Sequence, residues 1–111
     1  MTKQGKILII KKGAKFQALI KSGNGIVVAK TRLFKRGNPC IIAIMQAQQT
    51  IKLAHHFDVG QTITGEYWFK ANNIDGELLI HSKYYEKSAK RNVALRSVLK
   101  NIKSPIEFAT S

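Results

Sequence analysis

The chain has 111 residues, of which 44% are hydrophobic, so it can bury the core of one globular domain and does not have the composition of a disordered protein. Nineteen lysines and arginines outnumber six aspartates and glutamates, which gives a formal net charge of +13. Such a surplus favours a polyanionic partner, above all nucleic acid, whose phosphates release counterions when basic side chains bind. An anionic membrane surface and a merely solvated basic surface are the two alternatives.

The single cysteine, Cys40, lies in the most apolar segment and has no partner for an internal disulfide. We therefore expect a buried thiol in a protein of the cytoplasm. No apolar run approaches the roughly 20 residues that cross a bilayer, and the run from Ile7 to Ile10 is too short for a signal peptide. The sequence thus predicts no membrane-spanning segment, and a membrane is not the expected partner.

The first third of the chain predicts β-strands and holds ten basic residues and no acid within residues 1–36. Residues 5–12 form a short strand, Gly13 interrupts it, and residues 14–21 resume, so one long bent strand and two separate strands both fit. Residues 22–25, Ser-Gly-Asn-Gly, predict a hairpin turn. In the strand that follows, residues 26–34, alternation predicts an outward face with Val28, Lys30, Arg32 and Phe34, and an inward face with Val27, Ala29, Thr31 and Leu33. A place in the core or at its rim is the alternative for Phe34.

The middle of the chain predicts a strand, a short helix and a turn. Lys35 and Arg36 begin a basic turn whose backbone could help to hold a phosphate. Residues 40–46 are apolar at nearly every position and rich in isoleucine, which is typical of a strand covered on both sides. Residues 47–57 predict a short helix. The adjacent His55 and His56 lack other ligand types nearby, so we expect them to cap that helix rather than to bind a metal.

The second half predicts two more strands and a helix. In residues 62–70, alternation places Trp68 beside Lys70 on the outer face, where an exposed indole can stack on a base. Residues 72–76 predict a hairpin turn, and residues 77–85 a strand that ends in Lys83, Tyr84 and Tyr85, with one tyrosine inward and one outward. Residues 88–103 predict a basic amphipathic helix. Its apolar side can dock on the strands, on another subunit or on a partner, and residues 105–111 are expected to be a frayed tail.

The sequence shows no phosphate-binding glycine loop, no metal-ligand spacing and no nucleophile with an evident base. The four acids of the middle segment are scattered rather than paired, which disfavours a two-metal nuclease. We therefore expect a binding protein rather than an enzyme, with no cofactor.

The order of elements, together with the segments FDVGQTITGEYWF and NNIDGELLIHSKYYE, resembles small single-stranded DNA-binding OB-fold proteins of bacteria, phages and mobile elements. The resemblance covers about residues 5–86. It implies an all-β fold with short helices, namely a five-stranded Greek-key barrel with a helix between strands 3 and 4, in residues 1–86. Residues 87–111 then form an appended basic C-terminal helix and short tail.

The resemblance also implies how such a protein would bind: aromatic residues stack bases while lysines and arginines follow the backbone. The positions that fit are Lys15, Lys30, Arg32, Phe34, Lys35, Arg36, Trp68, Lys70, Lys83, Tyr84 and Tyr85. The C-terminus departs from the bacterial housekeeping members, which carry a flexible acidic tail. The tail-mediated recruitment of other proteins and the usual tetramer are therefore not implied, and a homo-oligomer stays open.

The leading hypothesis is a non-catalytic protein that coats single-stranded DNA in replication or recombination, in a bacterial or phage-infected cell. One alternative is an RNA-binding OB domain associated with ribosomes or tRNA, because the same groove accepts RNA. Another is a docking subunit of a replication or conjugation complex, which would hold a replication protein through its C-terminal helix.

Overall fold

The computed structural model describes residues 5–109, which form one seven-stranded sheet with two α-helices against it. The strand order across the sheet is β4-β5-β6-β3-β2-β1-β7, and every neighbouring pair is antiparallel except β1 and β7. In chain order the elements are β1 (Lys6–Lys12), β2 (Lys15–Lys21), β3 (Val27–Lys30), α1 (Gly37–Thr50), a 3₁₀ turn (Ala54–His56), β4 (Asp58–Gln61), β5 (Tyr67–Asn72), β6 (Leu78–His81), α2 (Ser88–Asn101) and β7 (Ile106–Phe108).

The predicted five-stranded OB barrel is wrong, because this sheet is open and ends at β4 on one side and β7 on the other. The main error lies in residues 40–46, predicted as a buried strand, which form the middle of α1. Pro39 stands in the first turn of that helix, where its missing N–H is harmless. The buried positions 40, 43, 44 and 47 have helical spacing, so α1 buries one side and exposes the other.

The short helix predicted over residues 47–57 is also wrong, since α1 ends at Thr50 and only a single 3₁₀ turn follows. His56 closes that turn: its Nδ1 accepts hydrogen bonds from the backbone N–H groups of Lys52 (3.0 Å) and Leu53 (3.2 Å). Among residues 5–109, no group of three or more histidines, cysteines and acids is placed to hold a metal ion.

The fold consists of two similar halves, β1–β3 with α1 and β4–β6 with α2, in which equivalent residues from β2 and β5 onwards are 51 positions apart. Phe16 and Phe34 form an isolated antiparallel bridge in the first half, and Tyr67 and Tyr85, each 51 residues later, form the same bridge in the second. The hairpin turns between β2 and β3 and between β5 and β6 repeat in the same way, with Gly25 and Gly76 at φ values of 80° and 83°. Each helix packs on its own half and on the other: α1 on β2 and β6, α2 on β5 and β3.

A buried hydroxyl occurs just after the hairpin in each half and accepts a backbone N–H from the neighbouring strand. Thr31 Oγ1 accepts the N–H of Ala18 and donates to the carbonyl of Arg32. Ser82 Oγ accepts the N–H of Phe69 and donates to the carbonyl of Lys83 in the same arrangement.

Removal of either hydroxyl is expected to destabilise the protein. Thr31→Val and Ser82→Ala each leave a buried N–H without its acceptor, which costs about 1–3 kcal/mol. Urea unfolding of the two variants measures this loss, with Thr50→Val at the exposed end of α1 as the matched control. Equal free energies of unfolding for Thr31→Val and Thr50→Val would contradict this role of the hydroxyl.

A β-bulge in each half decides which residues face the helices. Opposite β2 the register passes from Ala29 to Val27, and opposite β5 it passes from Ile80 to Leu78. The skipped residues, Val28 and Leu79, are buried next to Ala29 and Ile80. Val27, predicted inward, is therefore exposed on the opposite side of the sheet, and Val28, predicted outward, is buried.

The strand predicted to reach residue 34 ends at Lys30. As a result Leu33 and Phe34 face the opposite ways from those predicted. Leu33, predicted inward, is 41% exposed, whereas Phe34, predicted outward, is 8% exposed and rejoins β2 through its bridge to Phe16. The Arg32 guanidinium lies 4.3 Å from the centre of the Phe34 ring and covers its outer side. Phe34 is therefore a core residue, and the Arg32 side chain shields the part of its ring that faces solvent.

The core lies between the sheet and the two helices and includes both halves. Ile7, Ile20 and Phe69 from the sheet are fully buried with Ile44 of α1 and Val98 of α2. The apolar side of α2 thus docks on the strands, and removal of residues 87–111 would open this core. No helix among residues 5–109 is both long and apolar enough to span a membrane.

The tail predicted over residues 105–111 is in part ordered. Residues 106–108 form β7, which pairs in parallel with β1. The backbone N–H of Ile7 donates to the carbonyl of Pro105, and the N–H of Ala109 donates to the carbonyl of Ile9. Residues 110 and 111 lie outside the described residues.

Candidate nucleic-acid interface

The side of the sheet opposite the two helices carries a row of cross-strand neighbours, and we call it the helix-free face. The row runs from Leu19 on β2 through Lys30 on β3, His81 on β6 and Lys70 on β5 to Asp58 on β4. Residues directly opposite one another on neighbouring strands share a face and lie close together. His81 therefore lies between two lysines in the middle of the sheet.

A cavity of about 660 Å³ opens on the second half of this face, and we call it the Trp68 cavity. Its side chains combine flat aromatic surface with positive charge. It is lined by Lys30, Trp68, Phe69, Lys70, Leu78, His81, Ser82, Lys83 and Tyr84. Tyr84 is 61% exposed at its rim, so its ring is open to solvent.

The Trp68 indole lies across Gly60 of the edge strand β4, its cross-strand neighbour. A Cβ atom at Gly60 would overlap three ring atoms of the indole, so only glycine leaves room for this position. The Gly60 carbonyl accepts a hydrogen bond from the Arg91 guanidinium of α2 at 3.3 Å, which fixes the edge strand from the helix side. The Lys70 ammonium lies 5.6 Å from the ring centre. The indole is thus supported beneath and has a cation beside it.

Gly60→Ala is expected to displace the Trp68 ring and to weaken the binding of any ligand that stacks on it. The added methyl group clashes with the ring rather than with the backbone conformation, so the fold should tolerate it. Near-ultraviolet circular dichroism reports the change in the tryptophan environment. Gly37→Ala is the matched control, because a Cβ there meets nothing closer than 4.0 Å. An unchanged tryptophan signal in Gly60→Ala would contradict this support of the indole.

A second cavity, of about 460 Å³, opens on the first half of the same face, and we call it the Val27 cavity. Its floor is aliphatic and its rim is basic. It is lined by Ile10, Lys12, Gln17, Leu19, Ile26, Val27, Val28, Ala29, Lys30, His81 and Lys83. One N–H of the Gln17 amide is already engaged, since Nε2 donates to the carbonyl of Thr31 at 2.8 Å.

Neither cavity is lined by a carboxylate from the described residues. Asp58 is the nearest acid in the cross-strand row, but it is exposed on the edge strand and forms no ion pair with Lys70. Within residues 5–109 the one ion pair is Lys6 with Glu107 at 3.9 Å, at the other edge of the sheet. The charge of the lysines around the cavities is therefore not neutralised by the protein, and an anion can neutralise it.

The structure brings together five of the predicted binding residues around the Trp68 cavity: Lys30, Trp68, Lys70, Lys83 and Tyr84. Lys15 pairs with Lys12 at the β1–β2 turn, at the end of the same sheet. Arg32 covers Phe34, whose ring is buried and is not open to a base. Lys35 and Arg36 are exposed in the turn before α1, away from both cavities.

Of the two tyrosines whose orientation the sequence left open, Tyr84 is exposed and Tyr85 is half-buried against the core. The Lys83 ammonium lies 5.3 Å from the centre of the Tyr85 ring. Burial raises the pKa of the Tyr85 phenol, which keeps it neutral. Burial likewise raises the pKa of the Cys40 thiol, against a weaker opposing effect of its contact with Thr31, so this sulfur is a poor nucleophile.

Comparison of the two halves indicates where the site is specialised. The bridges, bulges and hydroxyl contacts repeat, whereas the cavity residues differ. At positions 51 residues apart, Trp68 replaces Gln17, Lys70 replaces Leu19, and Tyr84 replaces Leu33. At these three positions only the second half has aromatic rings and a lysine. A duplication that served the fold alone would not require this difference.

Sequence reasoning missed His81 and Lys12, which line these cavities. The signal that could have found His81 is the repeat: His81 lies 51 residues after Lys30, and the two are direct partners between β3 and β6. Lys12 could have been found from the hairpin at Gly13, because a two-residue turn pairs it with the predicted Lys15.

No protein-family model matches the sequence, and no curated protein matches it. Two solved structures share the fold. One is yegP from E. coli, described as a protein of unknown function, which is 16% identical with a TM-score of 0.90 over 100% of this chain and 97% of its own. The other is a UPF0339 protein from Shewanella oneidensis, 20% identical with a TM-score of 0.88 over 95% of this chain and 91% of its own. At these identities the similarity shows the fold alone, a two-layer α/β architecture with an open mixed sheet.

Proposed function

We propose that this protein is a non-catalytic single-stranded DNA-binding protein of the cytoplasm that serves replication or recombination, and that it binds through its helix-free face. The observation that carries the proposal is the Trp68 cavity, which holds an indole, an exposed tyrosine and three lysines, with no carboxylate in its lining. Aromatic platforms within a basic groove are the usual means by which proteins bind single strands without sequence readout.

In the proposed mechanism the two kinds of side chain have separate tasks. An unstacked base lies on the Trp68 indole, which Gly60 supports from below. Lys30, Lys70 and Lys83 neutralise neighbouring phosphates, and the release of counterions makes the affinity salt-dependent. Bases stacked inside a duplex are not available to the indole, so single strands bind more tightly than duplex.

Fluorescence of Trp68, the one tryptophan of the chain, tests the proposal directly. Titration with an oligo-dT strand of about eight nucleotides should quench the emission. This length lies within the site sizes of other proteins that bind single strands. The same titration with a duplex of equal length should need a higher concentration, and both curves should shift with salt. Equal affinity for duplex and single strand would refute the stacking mechanism.

A matched oligo-U strand in the same assay tests the RNA alternative, which uses the same face. RNA differs by its 2′-hydroxyl, and no predicted stacking contact depends on that group. Stronger quenching by oligo-U than by oligo-dT would assign the face to RNA instead.

A further inference from the structure

The Trp68 cavity and the Val27 cavity are not independent, because Lys30, His81 and Lys83 line both of them. These three residues form the basic boundary between the two cavities, and we call them the basic ridge. Lys30 and His81 occupy equivalent positions in the two halves and pair directly between β3 and β6. The approximate two-fold axis that relates the halves therefore passes near the basic ridge, with one cavity on each side.

An anion on the ridge is shared by both cavities, so two separate anionic ligands would compete for it. One ligand that places a single anionic centre on the ridge and one flat group in each cavity avoids that competition. An internucleotide phosphate with a base on each side has this arrangement.

We propose that the unit recognised by this protein is a dinucleotide step rather than an isolated base. The internucleotide phosphate lies on the basic ridge, one base stacks on Trp68, and the second base enters the Val27 cavity. This inference rests on the proposed function and adds to it the second subsite and the place of the phosphate.

The two subsites differ in chemistry, so the step has a preferred composition. Trp68 offers an aromatic face that accepts any base. The Val27 cavity offers aliphatic groups from Ile10, Leu19 and Val27, and one N–H of its Gln17 amide already donates to the Thr31 carbonyl. Aliphatic contacts favour the methyl group of thymine, so thymine is the preferred base there.

The test compares three ligands with the same phosphates, using Trp68 fluorescence. One is a 5′-phosphorylated thymidine dinucleotide, and each of the other two has an abasic sugar in place of one of its thymines. Both bases contribute in the proposed geometry, so the complete dinucleotide should bind about five- to tenfold more tightly than either abasic form. Equal affinities in the unmodified protein would overturn the second subsite.

Val27→Phe fills the second cavity and should bring the affinity for the dinucleotide down to that of the abasic ligands. Val93→Phe, at an exposed position of α2, is the matched control and should leave the affinity unchanged. A Val27→Phe protein that binds the complete dinucleotide as the unmodified protein does would also overturn the inference. In both overturning cases oligo-dT would still quench Trp68, so the proposed function would stand; absence of quenching by oligo-dT would remove both.

Discussion

Replacement of Trp68 by alanine is expected to weaken the binding of single-stranded oligonucleotides by about 1–3 kcal/mol, roughly 5- to 150-fold in the dissociation constant. The loss should be this large because the indole supplies the fully supported stacking surface of its cavity, resting on Gly60 with Lys70 beside it. The dependence of the affinity on salt should stay nearly the same, since no cation is removed.

Fluorescence anisotropy of a labelled oligo-dT strand measures the Trp68→Ala affinity, because that variant has no tryptophan emission of its own. Trp68→Phe should recover part of the loss, since a smaller aromatic ring still stacks. Phe108→Ala, exposed at the opposite edge strand β7, is the control for removal of an aromatic side chain. An equal loss in Phe108→Ala and Trp68→Ala would contradict a local role for the indole.

Simultaneous replacement of Lys30, Lys70 and Lys83 by glutamine is expected to weaken binding most at low salt. For a single strand, each phosphate that a lysine no longer neutralises lowers the slope of log affinity against log salt by about 0.7, so the slope of the triple variant should fall by about 2. Titrations at several salt concentrations measure both the affinity and the slope. Stability should change little, because these lysines form no ion pair within the described part of the chain.

The control for the triple lysine variant is an equal loss of charge on the helix side of the protein. Lys90, Arg96 and Lys100 are exposed on α2, and their replacement by glutamine removes the same three charges. If net charge alone attracted the nucleic acid, the slope would fall equally in the two triple variants. If the helix-free face binds the strand, the salt slope should fall clearly more in the Lys30, Lys70 and Lys83 variant than in the α2 variant.

Much of the local structure could be predicted from the sequence because its signals are short-range. The hairpin turns predicted at residues 22–25 and 72–76 follow from their glycines, and α2 follows from its helical spacing. Alternation along residues 67–70 also places Trp68 and Lys70 on the face opposite the buried Phe69.

The fold could not be predicted because one segment carried contradictory signals. Ile41, Ile42 and Ile44 favour a strand, whereas the spacing of Cys40, Ala43, Ile44 and Ala47 and the position of Pro39 fit a helix. The packing of α1 on β2 and β6 stabilises the helical conformation of this segment. Without a strand there, the predicted barrel has no third strand and the sheet stays open.

The candidate site was predicted only in part because its geometry depends on long-range pairing. Lys30 and Lys70 are 40 residues apart and meet on either side of His81, which no local pattern shows. Phe34 was misplaced because the strand ends at Lys30 and the chain turns its ring into the core. The 51-residue repeat is a sequence signal that relates the two halves, but few of its paired residues are identical, as Gly25 and Gly76 are.

Backbone amide chemical shifts of the protein, followed by NMR during titration with oligo-dT, test most directly whether the helix-free face binds the strand. We expect the largest shifts at Lys30, Trp68, Lys70, His81 and Lys83, with small shifts along the exposed side of α2. Shifts concentrated at Lys90, Arg96 and Lys100, with the sheet unchanged, would contradict binding at the helix-free face.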